Sequence, residues 1–212
     1  MPFLPSVEVL AAFTLASLIL IVTPGPDMTL FVSQTLTGGR ARGFAAMAGA
    51  YVGVLIHTAL AAFGLSALLM ASATAFTAVK FIGAGYLVWL AIDAVRNGSA
   101  LTPRRVARDC SVFQVFLMGI AIDLLNPKVV MFFLTFLPQF VSASDPQAGS
   151  KMVFLGLLYN MLGLPIGVVI VLTAERFTAA IKNSPRVMRA IDYTFAGLMS
   201  AFAVRLLLTR GN

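Results

Sequence analysis

The stretch Val112 to Val141, VFQVFLMGIAIDLLNPKVVMFFLTFLPQFV, decides the fold. It is apolar almost throughout, yet Asp123, Asn126, Pro127 and Lys128 stand near its middle. A helix that crosses a bilayer needs roughly 20 mainly apolar residues, so this run is long enough to span. Proline removes a backbone donor and disfavours helix in the residue before it. The helix therefore breaks at Asn126–Pro127 and restarts, with Asn126 suited to the N-cap and Pro127 to the first helical position. Broken backbone at membrane depth is tolerated only against protein or a water-filled cavity. Buried charges there are costly and mark a pathway or a pair. Asp123 lies one helical turn before Asn126, on the same face.

Working outward, a second break of the same kind occurs at Thr23-Pro24-Gly25-Pro26-Asp27. It interrupts an apolar segment from about Val7 to Leu36. Four further apolar segments run from about Phe44 to Met70, Phe76 to Val95, Met152 to Thr173 and Ala190 to Leu208. The six together predict an all-α membrane protein of six transmembrane helices in one domain spanning residues 1–212. Composition agrees: 59% of residues are hydrophobic and only 11% are charged, against about 25% charged in soluble domains. The opening Met1-Pro2-Phe3-Leu4-Pro5 lacks the basic region of a signal peptide, so the first segment is expected to stay as a membrane helix.

The net charge of +7 resides mostly in the gaps between segments. That placement points to topology and lipid headgroups rather than to nucleic acid. One set of gaps holds Arg40, Arg42, Arg96, Arg104, Arg105, Arg108, Arg176, Lys182, Arg186 and Arg189. The other side holds Lys80, Lys151, Arg205 and Arg210. The positive-inside rule puts the first set in the cytoplasm and both termini outside. Cys110 is the single cysteine and His57 the single histidine, which excludes an intrachain disulfide and argues against a metal centre. No cofactor is expected.

The two breaks each open a group of three segments, about 1–100 and 108–212. Segments two and five carry Gly49-xxx-Gly53 and Gly163-xxx-Gly167, small faces that allow close helix approach within a chain or in a homodimer. Three helices per half require the second half to be inverted. Inverted repeats with broken helices at matching positions point to a secondary transporter with its site at the breaks.

The candidate substrate site is therefore Thr23, Pro24, Gly25, Pro26, Asp27, Asp123, Asn126, Pro127 and Lys128. A restarted helix end offers free N–H groups and partial positive charge to a carboxylate. Lys128 adds a full positive charge. Asp27 or Asp123 suits an ammonium group or a proton. A plain proline kink and a structural Asp–Lys pair are the competing readings. His57 follows Gly49 and Gly53 at four-residue steps, so it faces a neighbouring helix. There it serves either packing or a proton relay. Tyr159-Asn160 could line a polar cavity, and Tyr86 with Trp89 suits an interfacial belt. Gly83-x-Gly85 lies in an apolar helix with no strand before it and is not a phosphate loop. No Walker lysine, zinc motif or nucleophilic triad is present, which argues against an enzyme or an ATP-driven pump. A pore and a structural membrane subunit are the other classes open to this sequence.

These motifs resemble the LysE/RhtB family of bacterial amino-acid exporters. The residues that carry the resemblance are Thr23-Pro24-Gly25-Pro26, then Gly38-Gly39-Arg40-Ala41-Arg42-Gly43 and Gly85-Tyr86-Leu87. Leu125-Asn126-Pro127-Lys128 through Phe133, and Leu137-Pro138-Gln139-Phe140, extend it over nearly the whole chain. The resemblance implies an inner-membrane exporter of amino acids or their derivatives, coupled to proton movement. The family often has a residue other than aspartate after the Thr-Pro-Gly-Pro turn, so Asp27 is a local variant.

Overall fold

A computed structural model describes residues 5–65, 73–97, 110–141 and 145–208. Among the described residues the secondary structure is entirely helical. Helix α1 is Val7–Val22, and α2 is Pro26–Ala59, which continues through a wider π turn at Leu60–Leu65. Helix α3 is Ala73–Asn97 and α4 is Val112–Leu124. A short α5, Pro127–Met131, continues as a π turn at Phe132–Phe136 and a 3-10 turn at Leu137–Phe140. Helices α6 (Ala148–Leu172), α7 (Ala174–Asn183) and α8 (Pro185–Leu208) complete the order.

Both expected breaks are present. Thr23 and Gly25 take extended backbone between α1 and α2. Leu125 and Asn126 separate α4 from α5, and the two arms of that segment bend by 49°. Pro26 and Pro127 are the first residues of their restarted helices. Ser111 and Gln114 form a reciprocal cap at the start of α4.

Helix α2 is a hairpin rather than a rod. Its 34 residues would measure roughly 50 Å if straight, well beyond a hydrocarbon core of about 30 Å. Gly39 has φ 81° and ψ 173°, and the chain reverses there. A Cβ on Gly43 would stand 2.0 Å from Thr35 Oγ1, whereas a straight helix would set these residues roughly 12 Å apart. Met28, Phe31 and Val32 of the first arm pack in one cluster with Ala46, Met47 and Ala50 of the second. The reversal separates the first two apolar segments where the sequence has Gly38-Gly39.

The second arm of α2 lies against α4 almost backbone to backbone. A Cβ on Gly49 would meet the Phe116 carbonyl at 2.0 Å, and one on Gly119 would meet the Ala46 carbonyl at 2.3 Å. Lipid gives no hydrophobic drive between helices, so close backbone approach of this kind carries the association. Helix α2 also packs on α6, and α3 packs on α8. The second arm of the broken segment sits at the centre, where Phe132, Phe133, Phe136 and Phe140 meet Phe13 of α1 and Tyr159 of α6.

Apolar side chains also cover the outside. Phe63 is 75% exposed, Met161 74% and Ile82 67%. A soluble monomer rarely shows such a surface, and lipid is its natural solvent. Among the described residues three helices are long and apolar enough to cross a membrane, and the bent pair makes a fourth. Apart from the two breaks and the segment ends, each of the six apolar segments falls on helix wherever the structure describes it. The expected short gap after segment five is not a loop: α7 occupies it, seating Ala174 and Phe177 inward with Glu175 and Arg176 exposed. In the first turn of α6, Lys151 donates to the carboxylate of Asp145, which precedes the helix. That bond, helped by the Gln147 N–H, holds Asp145 below the usual carboxylate range. Met1 to Leu4, Met70, Arg104, Arg105, Arg108 and Arg210 lie outside the described residues.

Two substitutions test this packing. Gly39→Ala forces an alanine into positive φ, and Gly49→Ala drives a methyl into the Phe116 carbonyl. Each is expected to lower the stability of the detergent-purified protein by about 1–3 kcal/mol. Gly64→Ala, which meets nothing within 4 Å, is the control. A Gly49→Ala melting temperature equal to that of the control would refute the α2–α4 contact.

Candidate functional site

The two breaks are built into each other. Where α1 stops, Thr23 turns its N–H and its hydroxyl back to the Ile19 carbonyl, at 3.1 and 2.7 Å. The carbonyls of Leu20 and Thr23 have no helical partner beyond the break. The Lys128 ammonium fills that role, donating to Leu20 O at 3.1 Å and Thr23 O at 2.8 Å. A cation at a helix C-terminus also complements the helix dipole. Gly25 makes the approach possible, since a Cβ there would lie 3.2 Å from Lys128 Nζ.

The reverse tie runs through Asn126. Its side-chain oxygen accepts from the Lys128 N–H at 3.1 Å and caps α5. Its amide nitrogen donates to Asp27 Oδ2 at 2.6 Å. The first break is thus closed by the lysine of the second, and the acid of the first restart is held by the cap of the second.

A cavity of about 70 Å³ opens beside these ties. One water needs roughly 10–15 Å³ of such space, so the cavity takes several waters or one small solute. Its polar lining is Thr23, Asp27, Tyr51, Asp123, Lys128 and Tyr159. Ile21, Phe31, Val54, Val129 and Ile170 supply much of the rest. Asp27 Oδ1 and Asp123 Oδ1 are both buried, and neither has a hydrogen-bond partner. Buried polar atoms are normally bonded, so unpartnered acceptors on two residues that line one cavity are unusual.

His57 stands behind Asp123 rather than on the cavity wall. Its Nε2 lies 3.3 Å from the Asp123 carbonyl and 3.7 Å from Asp123 Oδ1. Its ring stacks on Phe133 at 5.6 Å. Gly53 provides the room, since a Cβ there would meet Asp123 Oδ1 at 2.4 Å. The register of Gly49, Gly53 and His57 thus faces α4, as their spacing predicts.

Thr23, Gly25, Asp27, Asp123 and Lys128 all line the cavity, while Asn126 ties it from behind. Pro24 is buried beside Thr23, and Pro26 and Pro127 open the restarted helices. Two details differ from simple expectation. Lys128 bonds carbonyls, and no ion pair within 4.0 Å joins it to Asp27 or Asp123 among the described residues. The N-terminus of α5 is not open either, because Asn126 takes the Lys128 N–H. Tyr159 lines the cavity, whereas Asn160 lies off it. Tyr51 was not among the residues picked from sequence. Its hydroxyl sits in a notch at Gly163 and Gly167, 3.1 and 2.8 Å from where their Cβ atoms would be. That glycine pair was the signal, read as a face for a helix when it receives a side chain.

Similarity to known proteins agrees with this architecture. Residues 18–210 match the family described as LysE type translocator. The homoserine/homoserine lactone efflux protein of Salmonella typhimurium is 30% identical over 88% of this chain and 90% of its own length. The leucine efflux protein of Klebsiella pneumoniae is 25% identical over 92% of each. An uncharacterized membrane protein of Vibrio cholerae is 33% identical over 64% of this chain and 66% of its own. No solved structure matches. With the match covering most of the chain, and broken helices around a buried charged cavity, this multi-pass membrane protein belongs to the LysE type translocator family and is a transporter, not an enzyme.

Proposed function

We propose that the protein exports amino acids or amino-acid derivatives across the bacterial inner membrane, in exchange for protons. The observation that carries this reading is the buried cavity where both broken helices meet, with Asp27, Asp123 and Lys128 on its wall. A zwitterion needs opposite charges a few ångströms apart. Lys128 and the uncapped start of α2 attract its carboxylate. Asp27 and Asp123 receive its ammonium. A proton on these acids and an ammonium between them exclude one another, which couples the two movements. His57, against Asp123, extends the proton route.

The arrangement fits six transmembrane helices in two inverted three-helix repeats, with alternating access as one repeat rocks on the other. Two matching breaks and the helix reversal at Gly39 support it. Relatives named for homoserine, homoserine lactone and leucine efflux support the substrate class.

Cells with and without the protein, fed a dipeptide mixture, test the reading. Faster appearance of one or a few amino acids outside is expected. An unchanged profile, with the protein confirmed in the membrane, would contradict it. Lys128→Ala is expected to lower export per membrane-resident molecule by roughly tenfold or more, because the Leu20 and Thr23 carbonyls lose their donor and the cavity loses its positive charge. Wild-type export by a normally abundant Lys128→Ala protein would remove Lys128 from the site. Asp123→Asn is expected to flatten the dependence of export on external pH, and an unaltered pH profile would exclude Asp123 as the coupling group.

A further inference from the structure

We propose that the face of α2 running from Asp27 through Phe31 and Gln34 to Gly38 lines the passage between the cavity and the surface at the Gly39 reversal, and that Gln34 is a further solute-contact residue on it. This rests on the exporter reading of the cavity and deepens it by naming a route.

Gln34 is fully buried, at 0% exposure, and neither its amide nitrogen nor its amide oxygen has a hydrogen-bond partner. A glutamine amide offers two N–H groups and an acceptor, and buried polar atoms are normally bonded. Leaving both ends unmade inside a membrane protein is costly. Leucine or methionine would fill similar space without that cost. The amide is accounted for by a second arrangement of the helices, one that brings polar partners to it.

Its position says what those partners are. Asp27 and Phe31 both line the cavity. Gln34 follows Asp27 by seven residues, nearly two turns, so it stands almost in line with Asp27 and roughly 10 Å further along α2. Phe31 lies between them on the same face. Gly38 comes next on that line, one residue before the chain reverses at Gly39. The half-buried Arg42 side chain covers Gly38, where a Cβ would run into it. The line thus leads from a cavity acid, past a phenylalanine and an unpartnered amide, to an arginine beside the exposed turn of Gly39, Arg40 and Ala41.

In this structure the line is closed. Phe31 is buried in one cluster with Met47, Ile170 and Val171, and Gln34 is not part of the cavity wall. Separation of the first arm of α2 from α6 extends the cavity past Phe31 to Gln34. A solute then meets a donor and an acceptor midway, where a wholly apolar wall would offer its polar groups nothing. The Arg42 guanidinium at the mouth attracts a carboxylate.

Two experiments on the full-length protein test this. Gln34→Leu removes the amide and keeps most of the bulk. Its melting temperature in detergent is expected to be no lower than that of the wild type, since an unpartnered buried group is replaced by an apolar one. Export per membrane-resident molecule, of whichever amino acid dipeptide-fed cells release, is expected to fall roughly threefold or more. Wild-type export overturns the proposal, and so does a melting temperature that falls together with export, which would make the amide structural. In the second experiment Gln34→Cys and Ser33→Cys, each combined with Cys110→Ser, react in membranes with a small charged thiol reagent. Ser33 is also buried, at 2% exposure, but faces about 100° away. Gln34→Cys is expected to react roughly tenfold faster or more, because it is exposed whenever the passage opens. Equal rates overturn the proposal. The labelling needs no identified solute. Equal rates in a protein that exports an amino acid therefore remove only this route, whereas fast labelling of Gln34→Cys in a protein that exports none keeps the passage and removes the exporter reading.

Discussion

The Lys128 ammonium on the carbonyls of Leu20 and Thr23 is the contact on which the site depends. Breaking a helix inside a bilayer leaves backbone groups that lipid cannot satisfy. This chain breaks two helices and uses each to repair the other. The lysine that follows the second break caps the end of α1, and Asn126, which caps α5, holds Asp27 at the start of α2. Neither break is satisfied in this way without the other, which ties residues about a hundred positions apart into one unit.

Close packing around this unit comes from glycine. Gly25 admits the lysine, Gly53 admits Asp123, and Gly49 with Gly119 brings α2 onto α4. Gly163 and Gly167 leave a notch for the Tyr51 hydroxyl. The same device therefore serves two ends: it lets helices associate where hydrophobic drive is absent, and it leaves space for polar side chains at membrane depth. The result is a charged cavity enclosed by helices whose outer faces are apolar.

Much of this could be read from the chain. Proline acts locally, so the breaks at Pro24–Pro26 and Pro127 were legible without knowing any neighbour. Charged residues in apolar runs are costly, so the gathering of Asp27, Asp123 and Lys128 around one buried cavity was legible by the same reasoning. The four-residue spacing of Gly49, Gly53 and His57 assigned their common face correctly. What escaped depends on contacts between distant segments. Nothing local says that Lys128 reaches α1 carbonyls rather than a carboxylate, or that Tyr51 enters the notch at Gly163 and Gly167. Helix α7 escaped because its apolar face is short, Ala174 and Phe177 among charged residues, and such a stretch reads as a connecting loop.

The central claim is that one cavity between the breaks carries solute and proton in turn. Solute efflux from vesicles containing the purified protein tests it most directly, measured at increasing internal solute with and without an imposed inward proton gradient. The account predicts saturable efflux that accelerates with the proton gradient. Efflux that rises linearly with concentration and ignores the gradient would mean a pore, and would contradict it.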